Sequence, residues 1–306
     1  MNQRLGLVAM LLVLGTGWGA SQSLGKIAVS GGYHGFGVIF WQVTICTLVL
    51  GGLTLVRGQG LRLTLPALRF YLVVALVGTI IPNFTFYTSV AHLPAGIMSI
   101  VISTVPLMAF PMALALGQDR FSLPRLAGIG CGLLGVAMIA LPRSSLPDPA
   151  MAVWLPVALV GPFFYAIEGN YVARWGMAGM DAVQAMFGAS LAGMLIAGPL
   201  ALGTGAFINP FHPWTGPDWA VLAMSSSHAL IYAGYVWLAS RAGSVFATQT
   251  SYVVTGSGVV WAMLLLGERF SPWIWAALVV MLVGVALVRP RDAAARPTGC
   301  ETADLG

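Results

Sequence analysis

One acidic residue sits deep inside an apolar run of this 306-residue chain. It is Glu168, in Phe163-Phe164-Tyr165-Ala166-Ile167-Glu168-Gly169-Asn170. An acid at the centre of a bilayer costs about 2.5–3.5 kcal/mol on insertion scales, so it needs a wet cavity or a partner. Two chemistries stay open: it binds an amino group or carries a proton, or it pairs structurally with Lys26. On a helix, Phe164, Tyr165 and Tyr171 share its face at i−4, i−3 and i+3. A second titratable group, His228, follows Ser225-Ser226-Ser227, with Tyr232 one turn on and Tyr235 beyond. A buried imidazole either titrates near neutral pH or stays neutral and holds helices together.

Polar side chains recur at helical spacing in other apolar runs. Trp18, Ser21 and Gln22 share one face, as do Asn83 and Tyr87. Ser99 and Ser103 lie one turn apart with Pro106 just beyond, and Gln249 and Tyr252 form a further pair. An amide or hydroxyl in hydrocarbon needs a hydrogen-bond partner. Together these residues would give aromatic faces with a few directed polar groups, the usual make-up of a small-molecule site. The expected substrate-binding set is Trp18, Ser21, Gln22, Asn83, Tyr87, Ser99, Ser103, Tyr165, Glu168, His228, Tyr232, Gln249 and Tyr252. Taken singly, each aromatic residue is equally compatible with packing. Trp154, Trp214, Trp219 and Trp273 fall near run ends and read as interfacial belt residues.

No catalytic set accompanies them. There is no His-Glu-x-x-His, Gly-x-Ser-x-Gly or P-loop, and Cys46, Cys131 and Cys300 have no metal-ligand spacing. The expectation is a chain with no catalytic residues, cofactor or metal, and with no ATP hydrolysis of its own.

The elements that must position these groups follow from composition. Only 8% of residues are charged and 58% are hydrophobic, with a mean hydropathy of +0.88. Ordinary soluble domains are about 25% charged. A soluble chain could not build its surface from so little, and a disordered one would not be so apolar. The net charge of +5 comes from scattered residues at run ends, without a basic patch, which argues against nucleic acid. The chain reads as an all-α polytopic membrane protein.

A bilayer core takes roughly 20 helical residues. Apolar runs and their Gly/Pro interruptions predict ten helices, at 5–28, 35–56, 69–90, 94–116, 124–141, 151–173, 181–202, 218–239, 243–266 and 272–289. Arg4 before an apolar stretch would also suit a signal peptide, but this stretch is long. Pro82, Pro106, Pro111 and Pro162 fall inside helices and predict kinks. Gly15-x-x-x-Gly19 and Gly128-x-x-x-Gly132 predict close helix packing. With the N-terminus in the cytoplasm, 11 of the 14 Lys and Arg residues fall on the inside and 3 on the outside. The positive-inside rule therefore places both termini in the cytoplasm.

A shift of 149 residues superposes Asp119-Arg120-Phe121-Ser122 on Glu268-Arg269-Phe270-Ser271. The same register places Leu133-Leu134-Gly135-Val136-Ala137-Met138 on Leu282-Val283-Gly284-Val285-Ala286-Leu287. Two halves of five spans each must face opposite ways, so the ten transmembrane helices form two five-helix inverted-topology repeats, a plan common in secondary transporters. The expected division is a first repeat over 1–141, a linker over 142–150, a second repeat over 151–289 and a cytoplasmic tail over 290–306. The two acid-Arg segments would lie at opposite membrane faces, in structural or gate-locking roles.

Each half closes with an acid-Arg segment before a Gly-Val helix, best seen in Leu266-Gly267-Glu268-Arg269-Phe270, and Trp18-Gly19 lies in the first helix. In these features the sequence resembles the EamA family of the drug/metabolite transporter superfamily over about residues 5–289, and within it the bacterial aromatic amino acid exporters of the YddG type. Gln118-Asp119 departs from the family's usual Gly-Glu but keeps the charge. The resemblance implies export of small metabolites, amino acids or drugs across the bacterial inner membrane by alternating access. The expected partners are small amphipathic metabolites or amino acids, the lipid bilayer and, if transport is coupled, protons. The chain is expected to act as a monomer or a weak homodimer. Rival readings are a multidrug exporter with a looser pocket, a channel-like pore and an intramembrane enzyme.

Overall fold

The computed structural model describes residues 2–118, 120–141, 145–242 and 250–287. They form α1 (Asn2–Ser30), α2 (Gly35–Val56), α3 (Leu65–His92), α4 (Ala95–Ala115), α5 (Leu123–Ala140), α6 (Pro149–Trp175), α7 (Ala182–Gly203), α8 (Gly216–Ala242), α9 (Thr250–Leu266) and α10 (Pro272–Leu287). No strand occurs among the described residues. Seven helices, from Leu5–Ser30 within α1 through α7, are long and apolar enough to cross a membrane, and α9 and α10 are shorter apolar helices. The chain is thus a multi-pass membrane protein. In lipid each backbone polar group must be satisfied within its own segment, which makes a long uncharged run helical.

Helix ends carry their own chemistry. Asp181 caps α7, its carboxylate accepting from the Gln184 amide at 2.9 Å, and Arg57 lies 3.1 Å from its other oxygen. Burial alone would raise this carboxyl, but the Gln184 amide, the Gln59 side chain and Arg57 together hold it below the usual carboxylate range. Asp148 caps the 3-10 turn Pro149–Trp154 that opens α6. Gly176 ends α6 with φ of 67°, a left-handed conformation that glycine adopts without strain.

Two of the helices depart from α geometry just before a proline. Val74–Ile80 in α3 is π-helical, with Pro82 two residues beyond, and Ile102–Thr104 in α4 is a 3-10 turn before Pro106. Proline withholds the amide that its i−4 carbonyl requires, and the preceding turn re-registers. Around Pro111 and Pro162 the chain stays α-helical, as it does around Pro199, which the kink expectation does not include.

Packing pairs α1 with α8 and α9, and α6 with α3 and α4. α2 lies on α7 and α8, α3 on α7, α4 on α9, and α5 on α10. Small residues make the closest approaches. Gly15 and Gly19 of α1 face Val253, Ser257 and Gly258 of α9, and Gly132 and Gly135 of α5 face Leu107 and Met281. The largest core cluster joins Val90, Leu93, Ile97, Ile100, Ile139, Ile274 and Met281. Large apolar side chains also point outward, such as Leu48, Leu133, Leu195 and Leu264. Without a hydrophobic drive between helices in lipid, this close packing and the polar contacts hold them together.

Candidate functional site

The site is built where α1, α3, α6 and α8 meet. Trp18 of α1 donates its indole N–H to Nδ1 of His228 on α8 at 3.2 Å. As the acceptor, Nδ1 carries no proton, so the neutral ring holds its hydrogen on Nε2. The Trp18 ring also packs on Tyr235, with centroids 5.5 Å apart. One turn along, Ser21 bonds back to the Gly17 carbonyl. The Gln22 side-chain oxygen is shielded from solvent and has no hydrogen-bond partner among the described residues.

A second group of polar residues ties α2, α3 and α6. The Tyr165 hydroxyl donates to Oδ1 of Asn83 at 3.0 Å. Asn83 donates in turn to Oε1 of Gln42 at 3.3 Å. The same oxygen accepts from the Tyr87 hydroxyl at 2.9 Å. Gln42 is the residue that sequence reasoning missed. It is a lone amide in an uncharged run, and the rule that selected Gln22 would have selected it.

Glu168 lies on α6 against the π-helical turn of α3. A Cβ at Gly78 would collide with its carboxyl group. Pro82, four residues after Gly78, cannot supply an amide to the Gly78 carbonyl, so the carboxyl sits beside the irregular part of that helix. Tyr165 and Tyr232 are within electrostatic range of Glu168. The acidic side chain is only partly covered. Among the described residues no hydrogen bond or ion pair reaches it, and the neighbouring Tyr165 hydroxyl is committed to Asn83.

The alternative pairing of Glu168 with Lys26 is not made. The Lys26 ammonium bonds the carbonyls of Val90, Ala91 and Leu93 at 2.5, 3.2 and 3.1 Å. A lysine near the end of α1 meets the exposed carbonyls closing α3 before it could reach the middle of α6.

Three expected residues lie elsewhere. Ser99 is fully buried, bonds back to the Ala95 carbonyl, and faces Gly258 across the α4–α9 contact. Ser103 bonds back to Ile100 at 2.7 Å. Tyr252 packs beside the cluster of Leu107, Phe110 and Val285. Gln249 lies outside the described residues, as do Asp119 and the first turns of the predicted 243–266 helix. Among the described residues no group of three His, Cys, Asp or Glu could hold a metal ion.

What the arrangement offers is two free acceptor groups and several aromatic rings on neighbouring helices. Glu168 and the Gln22 oxygen call for a donor, and Trp18, Tyr165, Tyr232 and Tyr235 supply ring surface. Groups of this kind suit a ligand with N–H donors and an apolar body.

Comparison with known proteins adds two findings. The EamA-like transporter family matches residues 5–141 and, separately, residues 152–289. A crystal structure of a protein 18% identical to this chain superposes with a TM-score of 0.59, covering 93% of this chain and 97% of that one. At that identity the likeness is one of fold. No curated protein matches the chain.

Proposed function

Because the chain belongs to the EamA-like transporter family, we propose that it is a secondary transporter of small amphipathic metabolites. Amino acids with aromatic or other neutral side chains are the first substrates of this reading, and aromatic amino acid exporters of the YddG type the nearest functional comparison. The proposed layout is ten transmembrane helices in two inverted five-helix repeats, 1–141 and 151–289, with both termini in the cytoplasm of a bacterial inner membrane. The double family match and the 149-residue internal register support it. So does the packing. Exchanging each helix for its partner five positions on turns α1–α9 into α6–α4, α1–α8 into α6–α3 and α2–α8 into α7–α3, all of which occur.

The observation that carries the substrate reading is the Glu168 carboxyl, beside Gly78 and near Tyr165 and Tyr232, with no ion-pair partner among the described residues. The substrate enters from the cytoplasm between the halves. Its amino group meets Glu168 and Gln22, and its apolar part lies against Trp18, Tyr165 and Tyr232. The halves then rock to open the other side. In a proton-coupled cycle Glu168 gives up its proton to bind the amine and regains it on release. In a facilitative cycle it serves as the counter-charge alone.

A second reading has its own support. An amino acid also brings a carboxylate, and Lys26 is spent on α3 carbonyls. That favours a cation without a carboxylate, as a multidrug exporter would carry.

Purified protein in liposomes separates these readings. Labelled Phe, Trp, Thr, Met and one cationic drug are offered, with and without an imposed pH gradient. Saturable amino acid uptake is the expected result. Movement of the drug alone would replace the amino acid reading with the multidrug one, and non-saturable flux of everything offered would mean a pore.

A further inference from the structure

The junction between α3 and α4 is held at both helix termini by residues from distant parts of the chain. From α1, Lys26 donates to the carbonyls of Val90, Ala91 and Leu93. These close α3 and have no partner within their own helix. From the α9–α10 connection, Glu268 accepts the amides of Ala95 and Gly96 at 2.7 and 3.0 Å, the first amides of α4. A cation at a helix C-terminus and an anion at a helix N-terminus both complement the helix dipole. Lys26 and Glu268 also attract each other directly.

The rest of that connection docks on the same junction. The Phe270 ring occupies the space where a Cβ at Gly96 would project, so only glycine fits there. Ser271 donates to the Ser145 carbonyl at 3.2 Å. Leu93 and Ala95, on either side of Pro94, are fully buried.

The opposite end of the bundle is built differently. The 149-residue register carries Gly25 to Arg174 and Lys26 to Trp175. Gly25 is buried against Phe86 and Tyr87 of α3. Arg174 and Trp175 are exposed, Trp175 at 61%. α1 packs on α3 and α4, while among the described residues α6 makes no comparable packing with α8 or α9. Among the described residues, the end that bears Lys26 is the more closely packed of the two.

We propose that Lys26 and Glu268 together form a latch on the α3–α4 junction that closes one end of the transport path, Glu268 reaching across from the second half and parting from the junction when the halves rock. The groups involved suit that duty. Helix-terminal amides and carbonyls are satisfied by water when the latch parts, so opening leaves no orphaned backbone group.

The test measures a distance and needs no substrate, so its outcome is separable from that of the transport assay. Spin labels are placed on cysteines introduced at the exposed positions Ala91 and Arg269, in the full chain with Cys46, Cys131 and Cys300 replaced by serine and reconstituted in liposomes. Double electron–electron resonance on the parent should give one short-distance population. Glu268→Ala and Lys26→Met should each lose that single peak to a mixture with a longer distance. Unchanged distributions in both variants would overturn the latch. If Glu268→Ala fails to fold, Lys26→Met and Glu268→Gln decide by the same criterion.

Discussion

Gln42 receives two donors at one oxygen, the Tyr87 hydroxyl at 2.9 Å and the Asn83 amide at 3.3 Å. Through Asn83 it reaches Tyr165, beside Glu168. Removing that acceptor strands the Asn83 amide and leaves the buried Tyr87 hydroxyl only the Met224 sulfur, 3.6 Å away, and each unsatisfied buried group costs about 1–3 kcal/mol. Gln42→Leu should therefore lower the melting temperature in detergent and weaken transport, whereas Gln42→Glu, which keeps the oxygen, should do less harm. Equal stability of Gln42→Leu and the parent would show that the network is not structural. Glu168 behaves in the opposite way. It has no hydrogen-bond partner among the described residues, so Glu168→Gln removes the charge without breaking a contact. The variant should fold normally and lose any response of transport to an imposed pH gradient. Gradient-driven transport surviving in that variant would sink the coupling role of this carboxyl.

At the scale of elements, two glycines make contrasting predictions. A methyl at Gly78 would meet only the flexible end of Glu168, whereas one at Gly19 would meet the Ser257 hydroxyl and the Gly258 backbone nitrogen at 2.8 Å. Gly78→Ala should thus leave stability near the parent and impair transport by displacing the carboxyl. Gly19→Ala should push α1 off α9 and cost stability, about 1–3 kcal/mol for overpacking a tight contact. Thermal melts and uptake on the same preparations would check both. The helices themselves were legible in the sequence, because a long uncharged run in lipid has few alternatives to a helix. The predicted 35–56 coincides with Gly35–Val56. Their rotation was less legible. Helices apolar on every side offer no polar stripe to orient them. Ser99, Ser103 and Tyr252 met the spacing criterion yet turn towards α4's own carbonyls or a packing cluster. Trp18 and His228, 210 residues apart, meet because α1 packs on α8, a pairing that no local pattern announces.

For the whole molecule, the direction of transport depends on which way the bundle faces. The latch, the Trp154 ring stacked on His92 and the Asp218 carboxylate bonded to the Tyr33 hydroxyl all gather at one end. Arg57, Arg62, Arg174 and Asp181 gather at the other. By the positive-inside rule, the excess of arginine leads us to propose that this second end faces the cytoplasm, 11 basic residues against 3. Leu63, in the α2–α3 connection, and Phe211, in the α7–α8 connection, are both strongly exposed and should lie on opposite sides of the membrane. With single cysteines there, a membrane-impermeant maleimide should label position 211 in intact cells and position 63 only after permeabilisation. The reverse pattern would turn the bundle over. It would place the latch on the cytoplasmic face and make the end that bears the exposed Arg174 and Trp175 the outward one. Export would then begin from a closed entrance, and the assignment of direction would have to change with it.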